Sequence, residues 1–486
     1  EQAVTSELSG NVVDLCPVGA LTSKPYSFEA RPWELKKTLS IDVMDAVGTN
    51  IRLDSRGRQV MRCLPVINED VNEEWASDKT RHAVDGLVRR RLDRPYVRRG
   101  GKLQPASRDE AFTEIASLNA GSSVAAIHGD LVDCETIFAA KALVRAMGST
   151  LLEGRQTGMD YDVSSLAAVN FNTTIAGAER ADAILLVGTN LRWEAPLVNT
   201  RVRKAIKRGA KVFAIGPETE LTYKVEWLGD DLALLDKLPK PAMDAFKEAE
   251  RPMVIVGGGA MAGGHSAALK LAQTYKLVRD GWNGFNVLHM AASRMGGLML
   301  GFAMPGGIAD VVAKSPKLVF FLGADEIDFS QFANSLKVYI GHHGDKGAAA
   351  ADVVLPAASY AEKPGTYVNL EGRVQRGERA VFPPGDARED WAILRALSDR
   401  LGVTLPFDSF EALRLAMFAD TPALLSDGLV RFEWNPPALS AKGGGTLNGY
   451  PIKDFYLTNA ICRASPTMQR CSAELVHGEA FLEAAE

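Results

Sequence analysis

The short run Cys16-Pro17-Val18-Gly19-Ala20 is the stretch of this sequence whose residue types best suit inorganic chemistry. A thiolate is the ordinary ligand of an iron–sulfur cluster. The last cysteine of such a site is often followed by proline, which turns the chain and withdraws an N–H. A cubane needs four ligands, and the next cysteine along is only Cys63, so the run by itself favours a buried structural thiol. Cys134, Cys462 and Cys471 complete an odd, widely spaced set that fits a reducing compartment, and metal or disulfide roles for the Cys462/Cys471 pair are weakly supported. His342 and His343 are adjacent, so on an extended segment their side chains point apart; a structural hydrogen-bonding role is expected for them rather than a shared metal. Asp352, Glu362 and Asp390 have no matched His or Ser for a catalytic triad and read as surface or loop residues. Glycine turns follow predicted strands at Gly188-Thr189-Asn190 and Gly323-Ala324-Asp325, where backbone N–H groups approach a phosphate in nucleotide-binding folds. Gly257-Gly258-Gly259-Ala260-Met261-Ala262 meets a loose G-x-G-x-x-A spacing with Asp280 about 20 positions on, but no clear second strand precedes Asp280. Tight turns explain all three segments.

These residues must be held by a folded frame, and the composition supports one. The chain is 46% hydrophobic and 24% charged, which suits a soluble globular protein, and its length allows about three domains. A net charge of −5 argues against nucleic acid as a partner. The longest stretches without charge, Val163–Ala178 and Met295–Ala309, are interrupted by polar residues or by Gly and Pro and fall short of a membrane span of about 20 residues. Glu1 is not a start methionine and no signal or transit segment follows it, so a processed chain or a fragment is expected.

Residues 1–37 are rich in turn formers and suit no long element. Residues 38–105 read as a β-rich unit, in which Ile51–Leu53 and Gln59–Leu64 flank a glycine-containing turn as a hairpin. The basic run Arg89-Arg90-Arg91 reads as a solvated or partner-facing surface. From 106 to 420, helical patterns alternate with short apolar runs, the signature of parallel sheets. Ser107 is placed to cap a helix reaching about Leu118, and Val124–Ile127 reads as a strand followed by a helix over Cys134–Met147. Ala183–Val187, a helix over Glu194–Arg208 and Lys211–Ile215 form a βαβ unit. A second series begins at Pro252 with strands at Met253–Val256, Leu318–Leu322 and Val338–Ile340, implying two α/β lobes. Ala387–Gly402 is a further helix, and the segment 421–486 is expected to be an extended docking tail.

The segment Ser9-Gly10-Asn11-Val12-Val13-Asp14-Leu15-Cys16-Pro17-Val18-Gly19-Ala20-Leu21-Thr22-Ser23-Lys24-Pro25 closely resembles the large iron–sulfur (75-kDa) subunit family of mitochondrial NADH:ubiquinone oxidoreductase, respiratory complex I. Arg31-Pro32-Trp33-Glu34, Ser40–Gly48, Asn72–Trp75, Leu186–Asn190, Gly341–Asp345 and Tyr367–Arg373 carry the resemblance along essentially the whole chain. It implies that Cys16 is the last ligand of a [4Fe-4S] cluster whose other three ligands come from a Cys-x-x-Cys-x-x-Cys run. That run, with a further [4Fe-4S] and a [2Fe-2S] cluster, belongs to an N-terminal Fe–S domain lying before Glu1 or on another polypeptide. The body resembles molybdopterin oxidoreductases such as formate dehydrogenase. Against their additional cubane motif this chain has Asp42, Asp45, Thr49 and Ser77, none of them a thiolate, so that cluster is expected to be lost. The resemblance also implies a body without molybdopterin and partners on the peripheral arm, including the flavin- and NADH-binding subunit. It implies a place on the matrix side of the mitochondrial inner membrane without a span of its own. The expected role is scaffold and electron relay, with Val18, Gly19 and Ala20 as N–H donors near the Cys16 sulfur. A free-standing molybdenum or tungsten oxidoreductase is the alternative, and a structural fragment without a cluster a third reading.

Overall fold

In the computed structural model, which describes residues 4–159, 161–437 and 444–478, a three-stranded antiparallel sheet comes first. It contains β1 (Lys36–Ile41), β2 (Asn50–Arg56) and β3 (Gln59–Pro65), paired in chain order. The expected hairpin is therefore present, and its turn uses Gly57 at φ 62°, a left-handed conformation that favours glycine.

The chain then contributes β4 (Tyr96–Arg99), β5 (Lys102–Pro105), β6 (Val124–His128) and β7 (Leu151–Glu153) to one lobe. It crosses into a second lobe for β8 (Ala183–Val187), β9 (Lys211–Ile215), β10 (Glu226–Gly229), β11 (Pro252–Val256) and β12 (Phe285–Val287). It returns to the first lobe as β13 (Leu318–Leu322), β14 (Leu336–Gly341) and β15 (Val353–Pro356). The strand orders are β5-β4-β15-β14-β13-β6-β7 and β10-β9-β8-β11-β12. The second sheet is wholly parallel; in the first, β4 runs antiparallel to both β15 and β5. Every residue of β6, β8, β11 and β13 is buried, as expected of strands covered on both faces.

The boundary expected at Pro252 is not the spatial one. β11 pairs with β8, and β13 pairs with β6 although the whole second sheet lies between them in the sequence, so the lobes are interleaved rather than consecutive. Parallel partners are joined by long crossovers and are selected by burial and handedness, not by proximity in the chain.

Five helices matter for the sites. α1 (Arg108–Ser117) is capped by Ser107 with a reciprocal Glu110 contact, and α2 (Cys134–Ala146) by Asp133. α3 (Pro196–Lys207) opens at Pro196 instead of Glu194, because Glu194 ends a separate turn over Leu191–Glu194. α4 (Met261–Thr274) is kinked at Ala262 and Gly263, and α5 (Asp390–Arg400) starts three residues later than Ala387.

The tail departs from the extended arm expected of it. Residues 455–476 form short helical turns, and Phe455, Ile461, Cys462 and Met468 share a core with Ile41, Ile51 and Leu53 of the first sheet and with Val43 just beyond β1. A Cβ on Gly86 would lie 2.3 Å from the Ile461 carbonyl oxygen, so only glycine admits this contact. Apolar residues scattered among Pro, Ser and Gly gave no periodicity to betray the burial. Residues 438–443 and 479–486 of the expected tail lie outside the described residues. No helix among the described residues is long and apolar enough to cross a membrane.

Candidate functional site

Cys16 caps the one-turn helix Asn11–Leu15, its N–H donating to the Val13 carbonyl. Pro17 turns the chain, Gly19 takes φ 65°, and the loop brings the N–H groups of Leu21, Val18, Ala20 and Gly19 toward the sulfur. Those four donors, Leu21 and Val18 first, hold the thiol below its ordinary pKa by favouring the thiolate. A half-buried sulfur surrounded by converging donors differs from the sealed apolar thiol that the residues alone favoured.

The loop rests on a rigid base. Asp78 accepts hydrogen bonds from the Ser9 hydroxyl at 2.5 Å and the Gly10 N–H at 2.7 Å. Arg81, 5% exposed, donates to the Asn11 amide oxygen and ion-pairs with Asp14, each at 2.6 Å. The Asn11 amide nitrogen in turn donates to the carbonyls of Leu8 and Ala76. Gly10 is packed so closely that an added Cβ would lie 2.9 Å from Arg81 Cδ and Asp78 Oδ1. Sequence reasoning missed Asn11, Asp78 and Arg81, since nothing in their spacing marks a contact across some 65 residues. Val12, Leu15, Val18 and Leu21 flank the sulfur with 47%, 60%, 82% and 48% of their surfaces exposed, an apolar collar suited to contact with another surface.

Asp42, Asp45, Thr49 and Ser77 are brought together, all at 3% exposure or less. The oxygens of Asp42, Asp45 and Ser77 are engaged within the chain, whereas the buried Thr49 hydroxyl has no hydrogen-bond partner among the described residues. Asp42 accepts from the Thr80 hydroxyl at 2.8 Å and from the Met44 N–H, Asp45 accepts from the Val47 N–H at 2.9 Å, and Ser77 caps Thr80. Lys79, buried against the Phe455 ring at 4.6 Å, supplies the nearby positive charge. Burial, and then the Asp45 charge, push Asp42 up to about 7. Hard oxygen donors already spent on hydrogen bonds do not fit an iron–sulfur cubane.

The remaining sequence candidates have structural partners. Contrary to expectation, the adjacent rings of His342 and His343 meet, Nδ1 to Nδ1 at 2.5 Å, because the chain turns after β14 instead of continuing extended. His343 Nε2 lies 2.8 Å from the Gly86 carbonyl and so carries its proton there; its Nδ1 accepts from His342. Burial, reinforced by Arg91, lowers His343 to about 4 and holds the pair neutral. Glu362 and Asp390 are buried, not surface groups: Arg91 grips Glu362 with both terminal nitrogens, and Lys363 binds both Asp390 and Asp133. Arg91 therefore faces inward while Arg89 and Arg90 are exposed. Asp352 is half-buried and pairs with Lys337 at 2.9 Å. Cys462 is buried with its sulfur 3.8 Å from that of Met44, and neither it nor Cys471 is in a disulfide. Among the described residues no group of three or more His, Cys, Asp or Glu side chains is arranged to hold a metal ion.

The glycine turns at the carboxyl ends of the strands pack on one another. A Cβ on Gly129 would stand 1.9 Å from the Gly323 carbonyl oxygen, and one on Gly188 would stand 2.6 Å from the Ala260 nitrogen. Asp325 accepts from the Tyr339 hydroxyl and the Gly347 N–H. The first turns at the mouths of both sheets are thus packed on neighbouring backbone, which leaves little room for a phosphate between them.

Two interleaved lobes with glycine turns at their mouths, behind a small antiparallel unit, define the molybdopterin-oxidoreductase class. The family model of that description, Molybdopterin oxidoreductase, matches residues 91–400. The fold is shared with acetylene hydratase from Pelobacter acetylenicus at TM-score 0.58 and 13% identity, over 81% of this chain and 74% of that one. Residues 35–85 match the NADH-ubiquinone oxidoreductase NDSU1/NuoG-like 4Fe-4S domain. Residues 1–22 match the NADH-quinone oxidoreductase subunit 3 ferredoxin-like domain, and 435–471 match a C-terminal family of NADH-ubiquinone oxidoreductase. The chain is 45% identical to the NADH-ubiquinone oxidoreductase 78 kDa mitochondrial subunit of Neurospora crassa, over 99% of its own length and 68% of that protein. It is 40% identical to the NADH-ubiquinone oxidoreductase 75 kDa subunit of Reclinomonas americana, over 97% of its length and 73% of that protein. The chain belongs to the family of the large 75/78-kDa subunits of NADH-ubiquinone oxidoreductase.

Proposed function

We propose that this chain serves respiratory complex I as a scaffold that lends one thiolate, Cys16, to a [4Fe-4S] cluster on the route of electrons from NADH to ubiquinone. The observation that carries the reading is the Cys16 loop, whose half-buried thiol rests on the Asn11, Asp78 and Arg81 base and is held below its ordinary pKa by backbone N–H groups, Leu21 and Val18 first. Such donors favour the charged sulfur, which is the form that binds iron, and supply the hydrogen bonds that tune a cluster's potential. The base formed by Asn11, Asp78 and Arg81 fixes the position of that sulfur relative to the body. When bound, the cluster supplies one-electron transfer. The other three thiolates come from an upstream Cys-x-x-Cys-x-x-Cys segment, and the exposed collar of Val12, Leu15, Val18 and Leu21 is the surface against which it packs. A [2Fe-2S] and a second [4Fe-4S] cluster belong to the same upstream region, and flavin chemistry to a neighbouring subunit on the matrix side of the mitochondrial inner membrane. The interleaved lobes give docking surface and perform no hydride or oxygen transfer of their own.

The test is iron, acid-labile sulfide and low-temperature electron paramagnetic resonance on the assembled complex, before and after Cys16→Ala. Loss of one [4Fe-4S] signal with the others retained is expected. An unchanged spectrum, or molybdenum present in stoichiometric amount, defeats the reading.

A further inference from the structure

The winding of the second lobe reverses between β8 and β11: β9 and β10 lie on one side of β8, β11 and β12 on the other. Outside the carboxyl ends of two such strands lies the crevice where open α/β sheets bind nucleotides, with phosphates resting on the N–H groups of the first turns. Here those turns are Gly188-Thr189-Asn190 and Gly257-Gly258-Gly259, and a carboxyl group of this chain already occupies them. The Glu194 carboxylate is 1% exposed and bridges the two turns, accepting the Asn190 N–H on Oε1 and the Gly258 N–H on Oε2, each at 3.0 Å. The C-terminal segment lies over this point. Tyr450 donates its hydroxyl proton to the Pro217 carbonyl beyond β9, and the Pro451 ring stands 2.9 Å from where a Cβ on Gly258 would be. Beside it, a cavity of about 530 Å³ is lined by Asn190, Arg192, Trp193, Tyr450 and Lys453. The Asn190 amide oxygen, on a side chain only 7% exposed, has no hydrogen-bond partner there.

We propose that Glu194 is a built-in acceptor standing where a ligand phosphate would rest, with Tyr450 and Pro451 as its cover, so that the chain seals its own nucleotide crevice. This is independent of the Cys16 reading and gives a physical reason why a cofactor-binding fold serves as a scaffold. It also explains a carboxylate buried on two N–H donors, at a position where burial pushes its pKa up to about 7. Removing the side chain while leaving the turns intact vacates a site for a small oxyanion.

The experiment measures thermal stabilisation and calorimetric binding of inorganic phosphate and pyrophosphate by the full chain. The wild type and Glu194→Asp, which keeps the carboxyl group, are expected to show no saturable binding. Glu194→Ala is expected to bind pyrophosphate at least about tenfold more tightly than the wild type, with a concentration-dependent rise in melting temperature. If Glu194→Ala folds poorly, pyrophosphate restores it and chloride at equal ionic strength does not. The amides of Asn190 and Gly258 in the wild type exchange with solvent as slowly as those of β8. Saturable pyrophosphate binding by the wild type overturns the proposal. So does a Glu194→Ala protein that neither gains binding when folded nor responds to pyrophosphate when not.

Discussion

Asp42 offers the most direct test of the oxygen-lined cluster it forms with Asp45, Thr49 and Ser77. It is buried beside Asp45 with Lys79 as the opposing charge, and it stands at about 7 against an ordinary 3.8. Its folded value is raised above the unfolded one, so the folded chain holds the proton more tightly. The resulting stabilisation is full below the unfolded value and is lost as pH climbs through about 7. Between pH ~5 and ~8 a single group shifted this far withdraws on the order of 3 kcal/mol, since each unit is worth about 1.4 kcal/mol. Asp45 is raised as well, so the two share the titration and the loss is spread over a broader range. Asp42→Asn keeps the shape and an acceptor for Thr80 while abolishing the proton exchange. Urea unfolding from pH ~5 to ~8, followed by amide exchange in β1–β3, is expected to show the wild type weakening steadily. The variant, close to the wild type at the acid end, is expected to exceed it by about 2 kcal/mol at the alkaline end. Parallel profiles for the two proteins would refute the reasoning, because the carboxyl would then have no raised folded pKa to lose.

Two further expectations concern other positions. In the isolated chain without iron, Cys16 should be alkylated by iodoacetamide near neutral pH well before Cys63, Cys134 or Cys462, whose thiols burial pushes up; peptide mass spectrometry reads the order, and equal rates would count against the N–H cradle. Lys363→Met leaves Asp133 and Asp390 buried without their cation and should cost about 3–5 kcal/mol, seen as a marked fall in melting temperature; a shift of only a degree or two would mean the carboxylates find relief elsewhere.

Local signals carried far along this chain, and distant ones did not. Ser107 announced α1, the glycine-containing turn at Asp54–Arg58 announced the β2–β3 hairpin, and the apolar runs at Val124, Ala183 and Leu318 were strands with edges within a residue of expectation. What failed were statements about partners. Glu362 and Asp390 looked like loop acids because Arg91 and Lys363, the latter adjacent to Glu362 but bound to Asp390, are matched to them only by the tertiary fold. The histidine pair was expected to diverge because extended geometry was assumed for a segment that bends. Glu194 passed for an ordinary first-turn residue, although its N–H donors come from Asn190 and from Gly258 on another strand loop. The Cys16-Pro17 pattern alone favoured a sealed thiol; the resemblance supplied the expected N–H donors Val18, Gly19 and Ala20, while Leu21 and the base of Asn11, Asp78 and Arg81 became visible only with the loop folded.

The burial of Phe455, Ile461, Cys462 and Met468 among the side chains of β1 and β2 has a consequence for biosynthesis. The ribosome makes β1 and β2 about 400 residues before the apolar segment that covers them. Until that cover emerges, Ile41, Val43 and Leu53 lack part of their enclosure and present a sticky surface to the cell. The small antiparallel unit therefore cannot complete its core until the segment from Phe455 to Met468 has been made and has docked, and a chaperone that shields the gap in the meantime would protect it.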